Sequence, residues 1–174
     1  GRPYKGVLYA GLMIRDGEAK VLEFNARFGD PEAQPLLMRL DGDLVQIIDA
    51  VIDERLDEIK LNWHDDASIC VVMASEGYPG SYRKGAVISG IDEADSLRDV
   101  KVFHAGTAER DGRLVTAGGR VLGVTARAAS IRQALDRAYG MVESIELERM
   151  QYRKDIGHRA LARLAGNARE VETV

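Results

Sequence analysis

The chain has 174 residues, of which 45% are hydrophobic and 30% charged, and its formal net charge is −4. Its basic residues are scattered, which argues against a nucleic-acid-binding surface. Its apolar runs are far shorter than the ~20 residues that a membrane helix needs. The single cysteine, Cys70, excludes an internal disulfide and suits a reducing compartment. We therefore expect a soluble cytoplasmic protein that binds neither nucleic acid nor membranes.

The first predicted element is a β-hairpin. Residues 7–14 are almost all apolar, which predicts a strand buried on both faces. Asp16–Gly17 is a strong hairpin turn, and residues 19–26 form the returning strand. A strand buried on both faces needs covering layers, and few residues precede this one to supply them. The chain is therefore expected to be part of a longer one.

Two helices are predicted after the hairpin. Asp30 is placed to cap the first, Pro31 suits its first position, and Glu32 in the first turn suits the helix dipole. The second follows Asp41–Gly42 and carries an apolar stripe at helical spacing, formed by Leu44, Val45, Ile47, Ile48, Val51 and Ile52.

The character of the sequence changes near residue 63. Four strands are predicted there, at 68–74, 85–91, 100–106 and 120–126. Asp111–Gly112 joins two further short strands. Ser130 and Gln133 form a capping box that opens an amphipathic helix. A last short helix, 159–164, is predicted to end at Gly166–Asn167, with the final residues frayed.

These elements predict an α+β protein with two domains. Residues 1–62 would hold an antiparallel hairpin with helices. Residues 63–174 would form a small antiparallel β-sheet domain packed with helices.

The returning strand carries two polar side chains that a purely structural strand would not need. Because side chains alternate along a strand, Glu23 and Asn25 share one face. A carboxylate and an amide oxygen there can converge on Mg²⁺, which takes few protein ligands and prefers oxygen. Arg27 can bind a phosphate, and sites of phosphoryl transfer commonly combine a metal ion with an arginine. A structural strand with a polar outer face explains the same spacing, so both interpretations stay open.

Six segments together carry a family resemblance. They are Tyr9–Met13 (YAGLM), Glu23–Glu32 (EFNARFGDPE), Tyr78–Gly80 (YPG), Val102–Thr107 (VFHAGT), Gly118–Leu122 (GGRVL) and Arg153–Gly157 (RKDIG). In this order they resemble the C-terminal part of the phosphoribosylamine–glycine ligase family, within the ATP-grasp superfamily. The resemblance runs from about Pro3 to Arg159.

The resemblance implies a fold and an activity. Residues 1–62 would end an ATP-grasp domain, and residues 63–174 would form the family's C-terminal domain. The family uses ATP to join glycine to 5-phosphoribosylamine through glycyl phosphate, giving glycinamide ribonucleotide, ADP and phosphate in purine biosynthesis. The partners it implies are these small molecules, and no protein partner is predicted.

The resemblance also implies roles for residues. Glu23 and Asn25 match the family's ligands for Mg²⁺ or Mn²⁺. Arg27 would stabilise the transferring phosphoryl group, and Asp30 would pair with the ammonium group of glycine. The phosphate of phosphoribosylamine would be bound by Gly118, Gly119 and Arg120.

Simpler interpretations apply to several of these residues and their neighbours. Gly118–Gly119 also suits an ordinary glycine turn, and Arg83–Lys84 suits either an ordinary basic turn or a contact to substrate. His104 is expected to be structural, Cys70 a buried inert thiol, and Arg153–Asp155 an anchor for the last helix.

Parts of a complete ATP-grasp site are missing from this sequence. It has no glycine-rich phosphate loop, no lysine-bearing strand pair and no adenine-binding hinge, which the family carries upstream. The chain alone is therefore expected to be catalytically silent. Two alternatives remain: another ATP-grasp carboxylate–amine ligase or carboxylase, and a non-catalytic binding module.

Overall fold

The computed structural model describes residues 1–171, without the side chains of residue 95 and of residues 167–171. The chain forms two compact units. The first comprises Gly1–Ala33 and Leu40–His64, and the second comprises Gln34–Arg39 and the chain from Asp65 onwards. In the described range, no helix combines the length and the apolar character needed to cross a membrane.

The predicted hairpin is confirmed. Strand β1 (Tyr9–Arg15) pairs antiparallel with β2 (Glu18–Asn25). Asp16 and Gly17 have positive φ angles of 52° and 81°, as a type I′ turn requires. The pairing skips Leu22, which forms a β-bulge and adds local twist to the ribbon.

The predicted burial of this hairpin is wrong. Its large apolar side chains are 46–65% exposed on both strands: Leu12, Met13, Ile14, Val21, Leu22 and Phe24. The periodicity indicates a strand that needs cover on two faces. Two strands alone cannot cover both of their own faces, and the exposed fractions show that no other described element covers them.

The first helix starts later than predicted. Helix α1 spans Ala33–Arg39, so it begins two residues after Pro31, and Glu32 rather than Asp30 directly precedes it. The amide of Ala33 donates to the carbonyl of Gly29 at 3.0 Å and closes a turn before the helix. The helix then accommodates Pro35 in its first turn, where a missing amide costs no helical hydrogen bond.

The second helix is confirmed. The remaining elements of the first unit are β3 (Leu40–Asp41), α2 (Leu44–Ile52), a 3₁₀ turn (Leu56–Glu58) and β4 (Asn62–Trp63), which pairs with β3. Helix α2 is capped by Asp43, whose carboxylate accepts a hydrogen bond of 2.8 Å from the amide of Val45.

The second unit is built on a four-stranded antiparallel sheet in the order β12-β5-β10-β7. The strands of the whole unit, including those outside this sheet, are β5 (Ala67–Ser75), β6 (Ile88–Ser89), β7 (Val100–His104), β8 (Thr107–Arg110), β9 (Arg113–Thr116), β10 (Arg120–Ala128), β11 (Glu146–Leu147) and β12 (Met150–Gln151). Its remaining helices are α3 (Asp92–Ser96), α4 (Ile131–Ser144) and α5 (His158–Val171). This mixture of helices and small antiparallel sheets confirms the predicted α+β class.

Two predicted local signals are confirmed in this unit, and one is wrong. Asp111–Gly112 forms the turn between β8 and β9, and Ser130 Oγ accepts from the amide of Gln133 at 3.2 Å to cap α4. Helix α5 does not end at Gly166–Asn167 but continues to Val171. Alanine, leucine and arginine surround that glycine, and a single glycine costs a helix only about 1 kcal/mol. The predicted fraying falls on residues 172–174, outside the described residues.

The core lies between the sheet and α4. Val71 of β5, Val102 of β7 and Val124 of β10 are side by side in the register, and α4 covers them with Ala138 and Val142. All five side chains are buried. The second unit therefore has a contiguous hydrophobic core of its own.

Helix α1 belongs to this unit. The guanidinium of Arg127 donates to the carbonyl of Met38 at 3.3 Å and to the carboxylate of Asp99 at 2.7 Å. The hydrogen bond from Arg127 lowers the pKa of Asp99, against a smaller opposing effect of burial. Arg127 thereby links the carboxyl end of the helix to the turn before β7.

Two buried threonines should respond oppositely to the same substitution. The Thr125 hydroxyl is fully buried and has no hydrogen-bond partner in the described part of the chain, whereas Thr116 Oγ1 accepts from the amide of Ala86 at 3.1 Å. We expect Thr125→Val to raise the free energy of unfolding by about 0.5–1.5 kcal/mol, because an unpaired buried hydroxyl is lost. Thr116→Val should lower it by about 1–2 kcal/mol, because the amide loses its acceptor. Urea unfolding of both variants measures the difference, and a destabilised Thr125→Val would contradict the prediction.

Candidate functional site

The polar face of β2 is the centre of the candidate site. In the register, Glu23 lies opposite Gly11 and Asn25 lies opposite Tyr9, so these side chains share one face of the ribbon. A Cβ atom at Gly11 would lie 3.1 Å from Cγ of Glu23. The glycine therefore leaves room for the Glu23 side chain beside the strand. The predicted pairing of Glu23 with Asn25 on one face is confirmed.

Glu32 joins this face through Tyr9. The Tyr9 hydroxyl donates to Oε1 of Glu32 at 3.3 Å. The charge of Glu32 is the largest cause that raises the pKa of Tyr9, burial adds to it, and the charge of Glu23 raises it further. The phenol therefore stays protonated through the neutral range and donates to the Glu32 carboxylate. Sequence reasoning placed Glu32 in a helix and missed this contact.

The loop between β2 and α1 is tightly folded around Glu32. A Cβ atom at Gly29 would overlap the Glu32 carboxylate, so a side chain there would require Glu32 to move away. Arg27 donates from Nη1 to the carbonyl of Phe28 at 2.7 Å, and Asp30 is exposed. The predicted catalytic pair, Arg27 and Asp30, thus lies in the segment that follows the Glu23–Asn25 face.

The donors on this face suit one kind of metal. Among the described side chains, no three of the His, Cys, Asp and Glu type converge on one point. Glu23 and Asn25 offer one carboxylate and one amide oxygen, which is the small protein share that Mg²⁺ takes when phosphates and water fill its other positions. The residues fit a magnesium ion bound together with a phosphorylated substrate better than a closed structural metal site.

In the second unit, the family-like segments meet at one end of the sheet. Strand β5 ends at Ser75, β7 ends at His104, and β10 begins at Arg120. Because neighbouring strands are antiparallel, these three residues lie at the same sheet end, as does Met150, which pairs with Ser75. The loops that carry Tyr78–Gly80 and Gly118–Gly119 extend from this end.

The Gly118–Arg120 loop is held by close backbone contacts. The amide of Gly118 donates to the carbonyl of Gly106 at 3.1 Å, and Nε of Arg120 donates to the Tyr78 hydroxyl at 3.1 Å. A Cβ atom at Gly119 would overlap the Tyr78 ring. These glycines therefore have a structural role, and the amide of Gly118 already has a partner within the protein.

Three other predicted residues have structural settings. His104 Nδ1 lies 3.1 Å from the Thr107 hydroxyl, within hydrogen-bond distance. Cys70 is partly rather than fully buried. Arg153 binds both carboxylate oxygens of Asp155, at 2.8 and 2.7 Å, just before α5 begins.

Comparison of the sequence with models of known protein families identifies the family of this chain. Residues 68–159, more than half of the chain, match the model described as the phosphoribosylglycinamide synthetase C domain. The chain belongs to the phosphoribosylglycinamide synthetase family. Residues 1–33 match the ATP-grasp (A) domain of the same family. The confirmed hairpin is thus part of an ATP-grasp domain, and the four-stranded sheet is part of the C domain.

Relatives with this family's activity in their names are close in sequence. The chain is 56% identical over 161 residues to phosphoribosylamine–glycine ligase from Rhodopirellula baltica, covering 92% of the chain and 37% of that protein. It is 49% identical over 167 residues to the Brucella melitensis protein of the same name, covering 96% of the chain and 39% of that protein. The crystal structure of phosphoribosylamine–glycine ligase from Thermotoga maritima superposes with a TM-score of 0.72 at 33% identity, covering 85% of this chain and 36% of that one. The chain thus spans less than two fifths of the length of each.

Proposed function

We propose that the full-length protein carrying this chain is a phosphoribosylamine–glycine ligase. It would join glycine to 5-phosphoribosylamine at the expense of ATP, in the cytoplasm, as a step of purine biosynthesis. The observation that carries the proposal is the shared face of Glu23 and Asn25 on the ribbon that matches the family's ATP-grasp domain. In this proposal the ATP-grasp part ends near residue 62 and the C-terminal domain begins near residue 63.

The reaction explains why the site needs positive charge. A carboxylate is a poor electrophile because it is negatively charged and has no good leaving group. Phosphorylation of the glycine carboxylate removes both obstacles, and the amine of phosphoribosylamine then attacks glycyl phosphate. The protein has to neutralise crowded phosphate charge, align the reactants and exclude water from the acyl phosphate.

Glu23 and Asn25 are the proposed ligands of Mg²⁺ or Mn²⁺. When bound, such an ion would offset the negative charge of the ATP phosphates. Both side chains present oxygen donors on one face, which is the fit that a hard divalent cation requires.

Arg27 and Asp30 are the proposed catalytic residues. Arg27 presents a guanidinium after the metal-binding face, where it would stabilise the transferring phosphoryl group. Asp30 is exposed, and its carboxylate would pair with the ammonium group of glycine. In the C-terminal domain, Gly118, Gly119 and Arg120 are the proposed contacts to phosphoribosylamine.

The exposed apolar ribbon supports the proposal. Isolated two-stranded ribbons are at best marginally stable, and large exposed apolar patches mark surfaces that another element covers. We propose that the upstream part of the family's ATP-grasp domain covers Leu12, Val21 and Phe24, and that the same part supplies the remaining ATP contacts.

ADP release by the full-length protein tests the proposed function. We expect ADP only when glycine, phosphoribosylamine and Mg²⁺ are all present, together with glycinamide ribonucleotide as the product. Replacing glycine by other amino acids, or phosphoribosylamine by other amines, distinguishes this activity from that of another ATP-grasp ligase. Equal turnover with a different acceptor would overturn the proposal.

The Tyr9–Glu32 hydrogen bond should have a measurable effect in the same assay. Tyr9→Phe keeps the ring and removes the donor to the Glu32 carboxylate. We expect kcat/KM to fall about 3–10-fold, because one hydrogen bond of about 1 kcal/mol is lost at the site. The matched control is Tyr4→Phe, which loses hydrogen bonds to the carbonyls of Val7 and Ala26 but touches no carboxylate. Equal effects of the two substitutions would show that the Tyr9 hydroxyl is merely structural.

A further inference from the structure

A cleft of about 630 Å³ opens in the second unit. Its floor contains three buried residues, Ser75, Thr116 and Leu147. The rest of the lining comes from residues 76–77, 81–86 and 148–149. The volume lies within the range of about 300–1,000 Å³ that is typical of small-molecule sites.

The cations that line the cleft differ in whether a carboxylate compensates their charge. Arg149 lies 3.8 Å from the carboxylate of Glu76 and 3.4 Å from that of Glu148, so these two carboxylates compensate its charge. Arg83 and Lys84, which also line the cleft, are exposed. Among the described residues, neither has an acidic side chain within ion-pair distance. The cleft lining therefore carries two cations without an acidic partner among the described residues, together with the hydrogen-bond acceptors Glu76 and Glu148.

The loop that carries Arg83 and Lys84 is fixed at several points. The amide of Glu76 donates to the carbonyl of Arg149 at 2.9 Å. The amide of Gly85 donates to the carbonyl of Thr116 at 2.7 Å. Between these points, Gln151 Nε2 donates to the carbonyl of Tyr78 at 2.6 Å. A cleft held in this way is preformed, so a ligand would lose little affinity to ordering the loop.

The cleft adjoins the loop proposed to contact phosphoribosylamine. Ser75 lines the cleft, and its hydroxyl donates to the carbonyl of Gly118 at 3.0 Å. Tyr82 also lines the cleft, and its ring would lie 3.0 Å from a Cβ atom at Gly119. One small ligand can therefore reach both the cleft and the loop. The amide of Gly118 is already bonded to Gly106, so the loop has fewer free donors for a phosphate than the sequence suggests.

We propose that this cleft binds the phosphate end of a sugar monophosphate. Arg83 and Lys84 would bind the phosphate oxygens through charge-assisted hydrogen bonds. Glu76 and Glu148, which also line the cleft, would accept hydrogen bonds from sugar hydroxyls. This assignment rests on the proposed function, because phosphoribosylamine is then the sugar phosphate that binds. It places the phosphate in this cleft instead of at the Gly118–Arg120 loop.

The test combines binding and kinetics on the full-length protein. Calorimetric titration with ribose 5-phosphate, a stable probe, should show binding, and ribose should bind at least tenfold more weakly. Replacing Arg83 and Lys84 together by glutamine should weaken ribose 5-phosphate binding and raise the KM for phosphoribosylamine, each about 10–100-fold. The KM values for glycine and ATP should stay unchanged, because those substrates do not use this cleft. Thermal melting verifies that the variant is folded.

A matched control removes the same charge elsewhere. Arg132→Gln with Arg163→Gln takes two exposed cations from α4 and α5, and neither residue lines the cleft. An unchanged KM for phosphoribosylamine in the Arg83 and Lys84 variant, or an equal rise in the control, would overturn the assignment and leave the proposed function standing. If the wild-type protein makes no glycinamide ribonucleotide, the proposed function fails, and the ribose 5-phosphate titration still decides whether the cleft binds sugar phosphates.

Discussion

Glu23→Gln in the full-length protein is expected to lower kcat/KM for ADP release by about 10³-fold. The substitution keeps the size of the side chain and removes the negative charge that would hold the divalent cation. A bound cation supplies several kcal/mol of charge stabilisation to phosphoryl transfer, and each 1.36 kcal/mol corresponds to a factor of ten in rate. Raising the Mg²⁺ concentration should recover part of the activity, because weakened binding is the cause. Initial rates over a range of Mg²⁺ concentrations measure both effects.

The matched control for this experiment is Glu18→Gln. Glu18 is an exposed carboxylate on the same strand, at the turn end of the ribbon, and it pairs with Arg15 rather than with the polar face. Its replacement removes one negative charge from β2 without touching the candidate site, so activity should stay within about twofold. Wild-type activity and Mg²⁺ dependence in Glu23→Gln would refute the assignment of the metal ligands.

The 174-residue chain alone is expected to release no ADP above the uncatalysed background. It carries the proposed metal ligands, but its match to the ATP-grasp domain covers only residues 1–33. Contacts to the adenine and to most phosphate oxygens would come from the upstream part of that domain, and electrostatic stabilisation of the transferring group requires all of them in place. The measurement is ADP release with glycine, phosphoribosylamine and saturating Mg·ATP, beside the full-length protein as the positive control.

The same sample needs a test of folding. Circular dichroism should show a cooperative melt of the second unit, whose buried core includes Val71, Val124 and Val142. If the isolated chain shows this melt and releases no ADP, the result supports the proposed division of the site between the chain and upstream residues. Turnover by the isolated chain would show that the nucleotide is bound differently from the proposal.

Local patterns predicted the elements whose causes lie within a few residues. Asp16–Gly17 determines the hairpin turn because both residues adopt positive φ angles, and Ser130 caps α4 through an amide three residues away. The alternation of side chains placed Glu23 and Asn25 on one face without further information. These features depend on backbone geometry that neighbouring residues impose.

Contacts between distant residues were beyond the reach of these patterns. Tyr9 and Glu32 are 23 positions apart, and their hydrogen bond requires the hairpin and the following loop to be placed in space. Gly118 was predicted to bind phosphate, but its amide donates to the carbonyl of Gly106. This contact depends on the packing of two separate loops. Burial of the hairpin was wrong for a related reason: an apolar sequence indicates a need for cover but does not identify the covering element.

The exposed ribbon has a consequence for handling the chain in isolation. Strands β1 and β2 pair only with each other within the described residues, so each leaves one row of backbone groups open along an edge flanked by apolar side chains. Such edges pair readily with other chains. At high concentration the isolated 174 residues should therefore form oligomers by edge-to-edge β-pairing, and charged substitutions at Leu12 and Val21 should keep them monomeric.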